Sequence, residues 1–408
     1  MSELIGAVRG NDIELVQRLL EDGAEVNIRN NIGDTALIEA SYKGYIEIIR
    51  LLLEHGANPN IKKNDDETAL MWASLKDYIE IVKLLLEYDA DPDIQDNEGN
   101  TALIFASHYV HRRPGENSAM KEIVRLLLDA NANPNIKNNN QGNTALILAS
   151  HLGYIEIVPL LLEAGAEVNI QNNMGETALM WASLEGHIEI TELLLATGAE
   201  VNIKNSYNGN TTLIWALQGG HIEIVRLLLE HDADPNIRNN DDETALIWAS
   251  QIGHIEIVRL LLDAGANPNI RSNEGTIAYD VALIYHNYEI ADLLKRSMAT
   301  TQFQSRIRGK QTRRRIRTQT AKQNLAFIKG LEDRPSIYSQ HMKYEPYIAE
   351  DISRHLSRMS YNPEVARRME EEERILPYTD WLQEFSQYGS GKHRRRNRNK
   401  KYTRNRFY

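Results

Sequence analysis

From Thr35 the chain reads TALIEASYKGYIEIIRLLLEHGANPNI, a stretch whose apolar positions describe two amphipathic helices in succession. Leu37, Ala40 and Ser41 fall on one face of the first, the small residues admitting a close neighbour. The second carries Ile46, Ile48, Ile49, Leu51, Leu52 and Leu53. The same pattern returns as TALMWASLKDYIEIVKLLLEYDADPDI from Thr68 and as TALMWASLEGHIEITELLLATGAEVNI from Thr177. Anchoring threonines stand at Thr35, Thr68, Thr101, Thr144, Thr177, Thr211 and Thr244, with Ile277 in the eighth place. The steps are 33, 33, 43, 33, 34, 33 and 33 residues. Counting back 33 from Thr35 reaches Ser2, followed by LIGA, so nine units are expected between Ser2 and about Arg296.

Each unit carries its own punctuation. The threonine hydroxyl is placed to cap the first helix. The second helix ends at Gly23, Gly56, Asp89, Asn131, Gly165, Gly198, Asp232 or Gly265, the residue types that tolerate a left-handed backbone. Two residues before each threonine the choice is again Gly or Asp (Gly33, Asp66, Gly99, Gly142, Gly175, Gly209, Asp242), which marks the tip of a hairpin-like turn. One such unit cannot bury its apolar face alone, so the units are expected to stack around a continuous core.

This period and wording resemble the ankyrin repeat. The resemblance implies an all-α solenoid of paired helices joined by hairpin-like loops, used for binding other proteins. Two features depart from the family's T-P-L-H-x-A. Ala replaces Pro at Ala36, Ala69 and Ala102, and Ile or Met replaces His at Ile38, Met71 and Ile104.

Four features stand out inside the array. The unit opening at Thr101 holds ten extra residues, nine of them in the turn between its helices, around His108–Gly115. They read either as a tolerated surface loop or as a partner-specific finger carrying Arg112 and Arg113. His108 and His111 lack the carboxylate or cysteine company that a zinc site needs. Trp72, Trp181, Trp215 and Trp248 each stand four residues after an anchor, where Phe105 and Leu148 stand in other units. They read either as packing between units or as a stripe of binding hot spots along the groove. Pro159 falls one turn inside a second helix (YIEIVPLLL), where it is expected to kink the chain. The recurring Asn27, Asn60, Asn135, Asn169, Asn202, Asn236 and Asn269 read as turn formers.

Charge divides the 408 residues in two. Residues 1–296 hold 21 Lys+Arg against 45 Asp+Glu, a net of −24, and residues 297–408 hold 25 against 12, a net of +13. The acidic array predicts a basic protein partner on its groove and tips, and no affinity for phosphate backbones. Beyond it, Phe303, Gln304, Arg308, Gly309, Arg313 and Ile316 fill all six places of a pattern that resembles the IQ motif, which binds calmodulin or calmodulin-like light chains. On a helix Phe303 and Ile307 would face an apolar groove while the arginines face an acidic partner. Residues 297–332 are therefore expected to form a basic helix, residues 333–388 a small helical region, and residues 389–408 a disordered basic tail. IAEDISRHLSRM (Ile348–Met359) is similar to the F-box-like C-termini of some viral ankyrin proteins, though without their Leu-Pro opening, which would imply a ubiquitin-ligase subunit as partner. The tail GKHRRRNRNKKYTRNRFY, with nine Lys or Arg, suits nuclear import, contact with nucleic acid, or solubility.

An enzyme is not expected. The chain has no Gly-rich phosphate loop, no HExxH, no nucleophile elbow and no kinase signature. Three of its twelve histidines recur at one helix-start position (His187, His221, His254), alternating with Tyr45, Tyr78 and Tyr154. Neither a cofactor nor a metal is expected. With no cysteine, no signal-peptide pattern and no apolar run of about 20 residues, the sequence suits an intracellular, cytoplasmic scaffold.

Overall fold

A computed structural model describes residues 3–108 and 118–299. The first helices of successive units are α1 (Glu3–Arg9), α3 (Ala36–Lys43), α5 (Ala69–Leu75), α7 (Ala102–His108), α9 (Ala145–Leu152), α11 (Ala178–Glu185), α13 (Thr212–Gly219), α15 (Ala245–Ile252) and α17 (Ala278–Ile284). The second helices are α2 (Ile13–Glu21), α4 (Ile46–Glu54), α6 (Ile79–Glu87), α8 (Ser118–Asp129), α10 (Val158–Glu163), α12 (Ile188–Ala196), α14 (Ile222–Glu230) and α16 (Ile255–Asp263). A helix over 288–299 completes the ninth pair. First helices pack on first helices along the stack, and one apolar core runs from Leu4 to Leu294. The all-α solenoid is what the pattern predicts, and the hairpin-like loops hold a single β-bridge, Lys204 to Thr211, among the described residues.

The punctuation positions behave as their residue types require. All eight second-helix ends, from Gly23 to Gly265, take positive φ, including Asp89, Asn131 and Asp232 at 62–63°. All seven hairpin tips do the same, with Asp66 at 61° and Asp242 at 56°. Gly44 combines a φ of 79° with crowding, since a Cβ there would lie 2.8 Å from the Tyr78 ring. The hydroxyls of Thr35, Thr68, Thr101, Thr144 and Thr177 accept the backbone N–H three residues on, at 3.2–3.4 Å. Thr211 and Thr244 keep the extended cap backbone but make no such bond. At Ile277, which has no hydroxyl, the Asp280 carboxylate instead accepts the Ile277 N–H at 3.2 Å.

One expectation is extended and one corrected. The recurring asparagines do stand in turns, and from there those from Asn27 to Asn236 also clamp one unit to the next. Asn27 donates to the Gly56 carbonyl at 3.2 Å and accepts the Asn58 N–H at 2.8 Å. Asn60, Asn135, Asn169, Asn202 and Asn236 repeat both bonds onto the unit that follows. The reason is that a side-chain amide offers one donor and one acceptor, as a peptide group does. Asp93 stands in the same place and supplies only the acceptor half, to the Asn133 N–H at 2.8 Å. The correction concerns Pro159, which sits in the first turn of α10 and kinks nothing. Equivalent second helices begin just after the Tyr or His, but here Ile155–Ile157 form turns and the helix starts three residues late. A proline in the first turn forfeits no intrahelical bond.

The histidines at the helix starts also tie neighbours together. The Nε2 of His187 meets the His151 carbonyl at 3.1 Å and that of His221 meets the Leu184 carbonyl at 2.9 Å, so both must donate. Asn287 fills the same role in the last unit, donating to the Ser250 carbonyl at 2.9 Å.

Candidate functional site

The first helices carry the array's four tryptophans, on α5, α11, α13 and α15. One turn of spacing sets up their ring contacts: the position four after each anchor and the position seven after it lie three apart, on the same side of the helix. Tyr42 from α3 meets Trp72 from α5 edge to face, ring centroids 4.9 Å apart. His151 from α9 lies against Trp181 of α11 at 4.1 Å, and Trp181 meets Trp215 of α13 edge to face at 5.2 Å. Trp215 is buried, whereas Trp72, Trp181 and Trp248 are half-buried. The indole N–H groups of Trp181, Trp215 and Trp248 are enclosed and meet no acceptor among the described residues. Each tryptophan therefore spends most of its surface in the seam between two units and presents only part of its ring outward.

Charge varies along this face. Lys43 and Lys76 both lie over the Tyr42 ring, at 5.4 and 5.1 Å, and Lys63 lies 5.0 Å from the Trp72 centroid. Burial opposes the Lys63 ammonium, but the hydrogen bond and charge of Glu67, joined by Asp65, outweigh it and hold its pKa above the ordinary lysine value. Farther along, burial pushes the imidazole of His108 down, and the nearby His151 adds to the effect. His151 is lowered chiefly by burial, against the pull of Glu185 at 3.8 Å, with His187 lowering it further.

The hairpin tips form the edge of the face. Their apices carry exposed acids at Asp65, Glu98, Asp241 and Glu274, and exposed apolar groups at Ile32, Met174 and Tyr207, the last 76% exposed. Each tip is stapled to the next: the Asn97 N–H donates to the Asp65 carbonyl at 3.1 Å and the Ser206 N–H to that of Met174 at 2.7 Å. A long side chain four residues before the tip braces it from within, as Arg29 does on the Gly33 carbonyl and Gln95 on that of Gly99. The tips thus form a row fixed unit to unit, which suits them to present side chains at a regular repeat.

Tyr42, His108 and His151 were not expected here. Their signal was the i, i+3 relation to the tryptophan position on one helix, with the ring partner supplied by the neighbouring unit. Phe303, Gln304, Ile307, Arg308, Gly309, Arg313 and Ile316 lie outside the described residues, as do His111, Arg112, Arg113, Ile348–Met359 and the basic tail. Among the described residues no group of His, Asp and Glu is arranged to hold a metal ion, and no helix is long and apolar enough to cross a membrane.

Comparison with curated proteins returns no significant match. The family model for ankyrin repeats in three copies matches at residues 4–96, 88–172, 116–205, 157–239, 197–272 and 233–304, overlapping windows that leave no gap across the array. With the helix pairs, the left-handed caps and the stapled tips all agreeing with that assignment, the chain belongs to the ankyrin-repeat family.

Proposed function

We propose that this protein is a non-enzymatic scaffold that holds a basic protein segment along its first helices and hairpin tips. The supporting observation is the face itself: tryptophans at one repeat position in four units, three half-buried (Trp72, Trp181, Trp248) and one buried (Trp215), edged by exposed Asp65, Glu98, Asp241 and Glu274. Rings fixed by their neighbours offer contact area at little entropic cost, and the acids along the edge favour encounter with a cationic chain. The net of −24 on residues 1–296 acts in the same direction over a longer range. The test is affinity capture by the full chain, with bound proteins identified by mass spectrometry. The charge-reversed variant Asp65→Lys/Glu98→Lys/Asp241→Lys should lose partners that the parent holds at low salt. A variant that captures the same proteins with the same salt dependence would remove the electrostatic part of the reading.

A second reading rests on the complete six-position match from Phe303 to Ile316. In it the segment binds calmodulin or a relative, with Phe303, Ile307 and Ile316 as apolar anchors and Gln304, Arg308, Gly309 and Arg313 completing the pattern. Phe303→Ala/Ile316→Ala in the full chain should abolish calmodulin binding measured with and without calcium. Equal binding by parent and variant would return the segment to a plain basic stretch.

A further inference from the structure

The hairpin tips are not alike. Asp65, Glu98, Gln141, Asp241 and Glu274 put exposed polar side chains at their apices. Between Gln141 and Asp241 two successive tips depart from that rule, with Met174 43% exposed and Tyr207 76% exposed. Tyr207 stands on a longer tip, closed by the Asn205 N–H on the Asn210 carbonyl, where the Met174 tip closes from Asn172 to Glu176. The two tips touch, since the Ser206 N–H donates to the Met174 carbonyl at 2.7 Å. The first helices of the same two units pair Trp181 with Trp215 edge to face, and His151 lies against Trp181 from the unit before. Ile32 is also an exposed apolar apex, but its unit has Glu39 at the tryptophan position. Lone apolar groups are ordinary on a protein surface. Two on touching tips, in the units that also pair their rings, make a local apolar centre.

We propose that the units opening at Thr177 and Thr211 hold one large apolar side chain of the bound segment, between cationic stretches that meet the acidic tips on either side. This deepens the basic-segment reading and rests on it. Interfaces concentrate their energy in a few anchors near the centre, while charges around them set orientation and rate. The tip row has that order: Asp65 and Glu98, then Met174 and Tyr207, then Asp241 and Glu274. Met174 is unbranched and adapts to an aliphatic or an aromatic guest. Tyr207 adds a stiff ring with a polar end. The backbone staple between their tips fixes both in advance, which lowers the cost of ordering them on binding. The two flanks differ. Lys43 and Lys76 stand eight residues after their anchors, where the last two units have Ile252 and Tyr285. The denser cationic stretch of the segment therefore belongs beside Asp241 and Glu274. A second copy of the chain is a poorer occupant, because two arrays of net −24 repel each other.

A displayed library of random peptides, selected on the full chain at low salt, supplies the probe. Selected peptides should share one Leu, Met, Phe or Trp flanked by Lys or Arg. Met174→Ser/Tyr207→Ser changes only exposed side chains and should lower the enrichment of that apolar residue at least tenfold, with Lys and Arg still enriched. Peptides rich in Lys and Arg but without a common apolar residue would overturn the anchor and leave the basic-segment reading standing. Selection without Lys or Arg would overturn that reading, and the anchor with it. An apolar preference unchanged in the serine variant would overturn the assignment to these two units. So would dimers of the parent in sedimentation that the two serines dissolve, because a second copy would then cover the tips.

Discussion

A left-handed backbone costs an L-residue roughly 1 kcal/mol, which glycine does not incur. Asp232, held at a φ of 63° where most units use glycine, carries that cost. Asp232→Gly should therefore stabilise the chain by about 0.5 kcal/mol after the extra freedom of glycine in the unfolded state is subtracted. A lower urea midpoint for the variant would show that the Asp side chain contributes something its backbone does not reveal. These positions were legible because Gly, Asn and Asp alternate there and nothing else does. The clamp asparagines were not, because their partners lie 29 to 32 residues away and each alone looks like any turn residue. Asn236→Ala removes a donor to Gly265 and an acceptor for the Asn267 N–H, and should cost about 1–3 kcal/mol, read from the same urea midpoint.

Histidine adds a pH dependence of fixed sign. Burial lowers both His108 and His151, so the folded chain binds fewer protons on them than the unfolded chain, whose imidazoles titrate near 6.5. Their contribution to stability is complete above that value and is lost as pH falls from about 6.5 through the lower folded pKa values. Melting of the parent should drop between pH 7 and pH 5 by more than melting of His108→Gln/His151→Gln. Parallel curves for the two proteins would mean that these imidazoles titrate alike in both states.

Among the elements, helix pairs and their order could be read directly from the 33-residue period, since apolar spacing, cap residue and left-handed stop agree in the seven units opening at Thr35 through Thr244. The failure came at α10. The apolar pattern runs unbroken through YIEIVPLLL, so the eye continues the helix back to Ile155 and places Pro159 inside it. The backbone resolves the conflict by starting the helix at Val158, which leaves α10 six residues long against nine in α12, α14 and α16. Pro159→Arg restores both the missing N–H and the residue that α14 carries at that place, Arg226. It should extend α10 back to Ile155 and add roughly 1–2 kcal/mol. Hydrogen exchange at the amides of residues 158–161 should slow accordingly. Unchanged exchange there would mean that the late start is imposed by the neighbouring units rather than by the proline.

At the scale of the molecule, a stack in which each unit touches only its neighbours has a stability that is nearly a sum of unit and interface contributions, and it opens first where that sum is smallest. Three features converge on the middle of the array. Ten extra residues fall in the unit opening at Thr101, the asparagine clamp before it is halved at Asp93, and the next unit has the shortened α10. On either side, units with paired clamps and nine-residue second helices are more strongly coupled. Unfolding is therefore expected to split, with the units before Thr101 and those after Thr177 opening as separate cooperative groups. Native-state hydrogen exchange across a series of urea concentrations measures this residue by residue. The slowest amides of α4 and α6 should share one opening free energy, and those of α14 and α16 a different one. Restoring the weak links with Asp93→Asn and Pro159→Arg together should bring the two values closer, because the repaired interfaces make each half depend on the other. If the parent's slow amides already shared a single free energy and a single urea slope, the array would be one cooperative unit and the middle would not be its weak point.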